Sequence, residues 1–102
     1  MSREVYQYQF SEEVSVENIE ATLVLAITAV ESLHGQPQAR LDARHFLDGS
    51  KRACVVDAST PVGRDLNRLF VGFLSQEFEP TDFHVNRMTE SAAGQERKSC
   101  QL

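Results

Sequence analysis

The sequence has few cysteines and no long hydrophobic run, and several classes of protein depend on one or the other. It has no tryptophan, and its two cysteines, Cys54 and Cys100, lie far apart in unlike contexts. We therefore do not expect the disulfide framework of a small secreted protein. The longest apolar run, residues 21–30, is about half as long as a helix that crosses a bilayer. The N-terminal residues lack the apolar stretch of a secretion signal, so we expect a cytoplasmic protein with no segment in a membrane.

Positive charge is also scarce. Lysine and arginine total 10 against 15 aspartates and glutamates, which gives a formal net charge of -5. The averaged field of such a chain repels polyanions and does little to attract an anionic membrane. Neither nucleic acid nor a membrane is therefore an expected partner. The Walker sequence GxxxxGK[ST] and the dinucleotide motif GxGxxG are both absent, and we expect no cofactor.

What the sequence does contain is typical of one globular domain. Of its residues, 41% are hydrophobic and 25% are charged, and a chain of this length can bury about two thirds of its unfolded surface. We expect a single domain over residues 1–88. Residues 89–102, TESAAGQERKSCQL, have no periodicity and almost no bulky apolar residue, so we expect them to form a flexible C-terminal tail.

Two periodic patterns of apolar residues predict the elements. Alternation predicts strands, and spacings of three and four predict helices. Ser15 and Gly35 mark the two ends of the first helix. Pro61 marks the start of the second helix. Gly72 is expected to let the second helix approach a neighbour closely. The predicted inward stripe of the first helix is Val16, Ile19, Leu23, Ala26, Ile27, Val30 and Leu33. The predicted elements are a strand at 5–10, a helix at 16–34, strands at 39–47 and 52–58, a helix from 61 to the residue before Pro80, and a strand at 83–88.

This order of elements, β-α-β-β-α-β, resembles the ferredoxin-like or split β-α-β superfold over about residues 4–88. The resemblance implies an α+β, two-layer sandwich. Right-handed crossovers place the four antiparallel strands in the order 4-1-3-2, with both helices on one face of the sheet. The other face is then open. Because superfolds host unrelated functions, the resemblance implies no activity.

The stretch RLDARHFLDGSKRACVVDAST, residues 40–60, decides what the open face carries. With Gly49 and Ser50 as a two-residue turn, the ladder sets Asp42 directly across from Asp57. Like charges in that position destabilise a sheet unless a cation lies nearby, and two arginines flank Asp42 on the same face. The candidate binding residues on this face are Gln7, Gln9, Arg40, Asp42, Arg44, Asp57, His84 and Asn86.

Three interpretations of this cluster remain open. It can be a solvated network of ion pairs, each of small energetic value, or a polar surface for a protein partner. It can also be a site for a small anionic ligand, or an enzyme, in which Asp42 and Asp57 act as acid and base and Arg40 or Arg44 holds the anion. A metal site is disfavoured, because His84 lies on the strand at the opposite edge, about 14 Å away by strand spacing.

Other catalytic chemistry has little support in the sequence. Cys54 falls in a strand expected to be buried, where a thiol is inert, and Cys100 has no fixed base nearby. His45 is expected to face inward and to be partly buried. An RNA-recognition module shares the order of elements, but it needs aromatic rings on the open faces of the first and third strands. The third strand, RACVVDA, has no aromatic residue, and the first is expected to expose its glutamines. We assign no catalytic residue.

The first helix offers a second surface for contact. At 100° per residue, Leu25 lies opposite the inward stripe, among small residues along the same line. The interface candidates on this helix are Ala21, Leu25, Ala29 and Ser32. We therefore expect a small cytoplasmic interaction or regulatory module that self-associates or binds another protein, through the open sheet face or the outer face of this helix. The second strand, at a sheet edge, is a further place where a second copy can pair.

Overall fold

A computed structural model describes residues 4–89 of the chain, the side chain of Thr89 excepted. The first strand, both long helices and the last strand lie within a few residues of their predicted bounds. Thr89, predicted to begin the tail, ends the last strand, and the rest of the predicted tail lies outside the described residues. The elements are β1 (Glu4–Phe10), α1 (Val16–His34), α2 (Gln36–Asp42), β2 (Arg44–Asp48), β3 (Ala53–Asp57), α3 (Pro61–Glu77), a 3-10 turn (Pro80–Asp82) and β4 (Phe83–Thr89).

The four strands form one antiparallel sheet with the order β2-β3-β1-β4. Counted from the β4 edge, this is 4-1-3-2, the order that the sequence predicts. The central strands are β3 and β1, and the edges are β2 and β4. The architecture is α+β with three helices, of which one, α2, has no counterpart in the predicted pattern.

Local capping explains why α1 begins and ends where it does. The Ser15 side chain accepts a hydrogen bond from the Asn18 backbone N–H at 3.1 Å, which satisfies one of the free donors of the first turn. Gly35, with φ of 89°, ends the helix in a conformation that glycine adopts without strain.

Leu33, predicted to face the core, is 65% exposed. The buried residues of α1 end at Val30, so the last turn extends past the core.

The largest difference from the predicted fold lies at residues 36–42. These form the helix α2 and not the first part of a strand, so Arg40 and Asp42 do not lie on the sheet. Pro37 stands in the first turn, where its missing N–H costs nothing, and the Gln38 side chain donates to the Asp42 carboxylate at 2.6 Å. The alternation at Ala39 and its neighbours matches a strand, but glutamine, alanine, arginine and leucine are all good helix formers.

The turn between β2 and β3 is also longer than predicted. Asp48 pairs with Ala53, so the connection has four residues and Arg44, rather than Asp42, lies across from Asp57. The Asp48 carboxylate holds the turn by accepting from the backbone N–H of Ser50 at 3.1 Å. The ladder is displaced by two residues, and because side chains alternate with period two, an even displacement keeps each side chain of β2 on its predicted face.

One buried cluster joins the sheet to the helices. The inward face of the sheet contributes Tyr8 and Phe10 from β1 and Cys54 and Val56 from β3. The Tyr8 ring meets that of Phe70 on α3 edge to face, with centroids 4.8 Å apart. Helix residues in the same cluster are Ile19, Leu23, Ala26, Val30, Ala39, Val62, Leu66, Phe70 and Leu74. The helices therefore cover one face of the sheet and leave the other open. None of the helices described is both long and apolar enough to cross a membrane.

Candidate functional site

The open face of the sheet presents three rows of residues that run across the four strands. The pairings of β1 with β3 and β4, and of β2 with β3, define the rows. In order from β2 to β4, they are Arg44, Asp57, Val5 and Met88; Phe46, Val55, Gln7 and Asn86; and Asp48, Ala53, Gln9 and His84.

Six of the eight predicted sheet-face residues share this face. They are Gln7, Gln9, Arg44, Asp57, His84 and Asn86. The other two, Arg40 and Asp42, lie on α2. Their placement on the sheet is therefore wrong, and the predicted pair of carboxylates is not formed. Asp57 lies between Arg44 and Val5 in its row, whereas the Asp42 carboxylate accepts a hydrogen bond from Gln38 within its own helix.

The Asp57 side chain supports the connection between β3 and α3. It is nearly buried, and its Oδ1 accepts a hydrogen bond from the backbone N–H of Ser59 at 2.9 Å. That bond holds the short connection from β3 into α3. A carboxylate that is engaged in this way helps to position the N-terminus of the helix that follows.

The middle row carries no charge and contains the most exposed aromatic ring of the face. Phe46 on edge strand β2 is 64% exposed, and Val55, Gln7 and Asn86 complete the row. Met88 is also exposed, in the neighbouring row. Aromatic residues and methionine are enriched at protein interfaces, and charge is depleted at the interface core. Phe46 is absent from the predicted binding residues, because the alternation that places it on this face does not show how much of the ring stays uncovered.

The outer face of α1 also carries exposed apolar side chains. Leu25 is 55% exposed, Ala21 and Ser32 are exposed, and Ala29 is partly buried. The Ser32 hydroxyl donates to the backbone oxygen of Thr28, and the Thr28 hydroxyl donates to that of Val24. These donors are thus satisfied within the helix. The four predicted interface candidates therefore lie on one accessible strip, although Ala29 is not fully exposed.

A cleft opens where α1, α2 and β2 meet. Its volume is about 200 Å³, and the residues that line it are Ile27, Glu31, Ala39, Arg40, Ala43 and His45. His45 lies on the helix side of the sheet, as predicted, since its neighbours Arg44 and Phe46 lie on the open side. Desolvation by the surrounding walls lowers the pKa of its ring from the usual value, but the side chain remains exposed to solvent at the cleft.

Cys54 is a free cysteine buried in the core. Burial raises the pKa of the Cys54 thiol to about 12, so the thiolate that a nucleophile requires is not populated at neutral pH. Residues 4–89 contain no group of three histidine, cysteine, aspartate or glutamate side chains placed to hold a metal ion. The His34 ring nitrogen lies 2.7 Å from the Asp65 carboxylate. That contact joins α1 to α3.

Comparison of the chain with protein families, with curated proteins and with solved structures gives no match.

Proposed function

We propose that the protein is a small interaction module that self-associates through the open face of its sheet, in a ferredoxin-like arrangement of the two layers. The observation that carries this proposal is the exposed Phe46 ring in an uncharged row that spans the sheet. When one face of an antiparallel sheet is exposed only to solvent, the side chains on that face are normally polar. In this protein the central row brings together an aromatic ring, a valine and two amides.

Charges at the ends of β2 support a second copy as the partner. Arg44 and Asp48 stand at opposite ends of this strand, on either side of Phe46, and both lie on the open face. Two sheets can stack face to face about a two-fold axis that lies between them and runs perpendicular to the strands. In that arrangement β2 of one molecule lies over β2 of the other. Each Phe46 then meets its own copy, and each Arg44 lies above Asp48 of the second molecule.

The groups needed for these contacts are available. Arg44 makes no ion pair within residues 4–89. The Asp48 side chain uses Oδ1 for its contacts with the turn, which leaves Oδ2 to face a guanidinium. Those contacts with Ser50 hold the pKa of Asp48 below its usual value, so the carboxylate is charged at neutral pH.

The first test of the proposal measures mass against protein concentration. We expect light scattering to show a dimer for the native chain and a monomer for Phe46→Ser. Leu41→Ser is the matched control, because Leu41 is 67% exposed on α2, away from the open face, and it should leave the dimer intact. A native chain that stays monomeric at every concentration, or a Phe46→Ser dimer as stable as the native one, contradicts the proposal.

A second test examines the charge pairing. Arg44→Glu places two carboxylates together in the stacked dimer and should weaken it. Adding Asp48→Asn removes that repulsion and keeps the oxygen that accepts from the turn, so the double variant should regain much of the dimer. Circular dichroism checks that each variant is folded. If the dimer is insensitive to Phe46 and Arg44 but dissociates in Leu25→Ser, the outer face of α1 is the interface instead.

A further inference from the structure

We propose that the cleft between α1, α2 and β2 binds a small zwitterion with an apolar body, of the α-amino acid class. The cleft shares no residue with the open sheet face, so this inference goes beyond the proposed self-association and stands or falls separately.

The shape of the cleft suits a ligand with one apolar side. Ile27 from α1, Ala39 from α2 and Ala43 from the α2–β2 connection form apolar walls, and the volume is about 200 Å³. Pockets for drug-sized molecules are larger, about 300–1,000 Å³. This smaller volume suits a compact ligand of the size of an amino acid.

Three polar side chains from three different elements line the same space. Glu31 comes from α1, Arg40 from α2 and His45 from β2. Within residues 4–89, none of these three side chains makes a hydrogen bond or an ion pair, whereas His34 and Arg87 elsewhere on the molecule are both paired. The cleft therefore combines apolar walls with polar groups that have no partner in the protein.

The charges select the class of ligand. Arg40 carries a permanent positive charge and five N–H donors, which suit a carboxylate, and the Glu31 carboxylate suits an ammonium group. A simple anion pairs with Arg40 but is repelled by the like charge of Glu31. A simple cation pairs with Glu31 but is repelled by Arg40. Desolvation lowers the pKa of His45 from its usual value and so favours the neutral ring, which offers one donor and one acceptor. A molecule that carries both charges satisfies both side chains.

The test is a titration followed by amide chemical shifts, with leucine as the probe. We expect leucine to shift the backbone amides of residues 27–45 in a saturable manner. Leucine amide, which lacks the carboxylate, and 4-methylpentanoate, which lacks the ammonium group, should each bind about tenfold more weakly or worse. Glycine, which lacks the apolar body, should bind more weakly as well. Inorganic phosphate should not reproduce the leucine shifts.

Two variants and two controls identify the residues. Arg40→Gln and Glu31→Gln should each weaken leucine binding by about tenfold or more, while the dispersion of the amide spectrum confirms that the fold is intact. Arg68→Gln on α3 and Glu20→Gln on α1 change the same types of charge at exposed positions away from the cleft, and they should bind leucine as the native chain does. The inference is wrong if leucine causes no saturable shifts at millimolar concentration. It is also wrong if 4-methylpentanoate or phosphate binds as well as leucine, or if the controls lose as much affinity as the variants.

Discussion

Tyr8 shows at the scale of one residue how a polar group is accommodated in this core. Its side chain is fully buried, and burial is the main reason that the pKa of its hydroxyl lies well above the usual range. The hydroxyl donates to the side-chain oxygen of Asn67 on α3, so the polar tip has a partner. The alternation of β1 predicts that Tyr8 faces inward. It does not identify Asn67, which is 59 residues away in the sequence.

Replacing Tyr8 by phenylalanine tests this hydrogen bond. The ring and its packing against Phe70 remain, but the Asn67 oxygen loses its donor. We expect Tyr8→Phe to lower the free energy of unfolding by about 0.5–1.5 kcal/mol in urea titrations. Tyr6→Phe is the control, because Tyr6 lies on the same side of β1 and is only partly buried. Equal effects of the two substitutions contradict the role given to Asn67.

The N-terminus of α3 shows how an element is positioned. The Thr60 side chain accepts a hydrogen bond from the Gly63 backbone N–H at 2.9 Å. A Cβ added to Gly63 lies 2.1 Å from the backbone oxygen of Asp57, whereas one added to Gly72 meets nothing within 4 Å. The sequence assigned the close approach to Gly72. The structure assigns it to Gly63, because the first turn of α3 packs against the end of β3.

Alanine at these two glycines should therefore have opposite effects. Gly63→Ala forces the helix away from the strand and should cost about 1–3 kcal/mol of unfolding free energy, as overpacking does. Gly72→Ala should raise stability by about 0.5–1 kcal/mol, because alanine is the better helix former at an exposed position. Thermal and urea unfolding of both variants measure the difference. A Gly63→Ala protein as stable as the native chain rules out the close contact.

At the scale of the whole molecule, a single core joins strands and helices. Cys54 lies at its centre on β3, with no exposed surface, and the raised pKa of its thiol further suppresses reaction at neutral pH. Within residues 4–89, the buried apolar residues of the three α-helices and those of the two central strands, Ala53 excepted, belong to one cluster. Exposure of Cys54 should thus require the whole structure to open.

Thiol labelling of the Cys100→Ser variant, in which Cys54 is the only cysteine, tests that cooperativity. We expect the free energy of opening obtained from the labelling rate to equal the free energy of unfolding obtained in urea. Ser75→Cys, made in the same background, introduces a thiol at an exposed position of α3 and should label rapidly. A labelling free energy for Cys54 far below the urea value means that β3 opens by itself.

The two long helices, α1 and α3, and the first and last strands of the chain, β1 and β4, follow from signals that lie close together in the sequence. Ser15 caps α1, Pro61 opens α3, and the alternation of Tyr6, Tyr8 and Phe10 marks β1. Such signals act within one or two turns of chain, so the sequence by itself determined these elements. The order of the strands then follows from the succession of the elements along the chain, because few connections between strands are sterically allowed.

Only the tertiary structure decided the candidate sites. The choice of helix for Arg40 and Asp42 rests on the burial of Ala39 against the core, and the four-residue turn rests on the Asp48 side chain and on how β2 meets β3. The first choice moved Arg40 and Asp42 off the sheet, and the second placed Arg44 across from Asp57. Short segments with mixed periodicity have nearly equal local free energies as helix and strand, so contacts with residues distant in the chain decide between them.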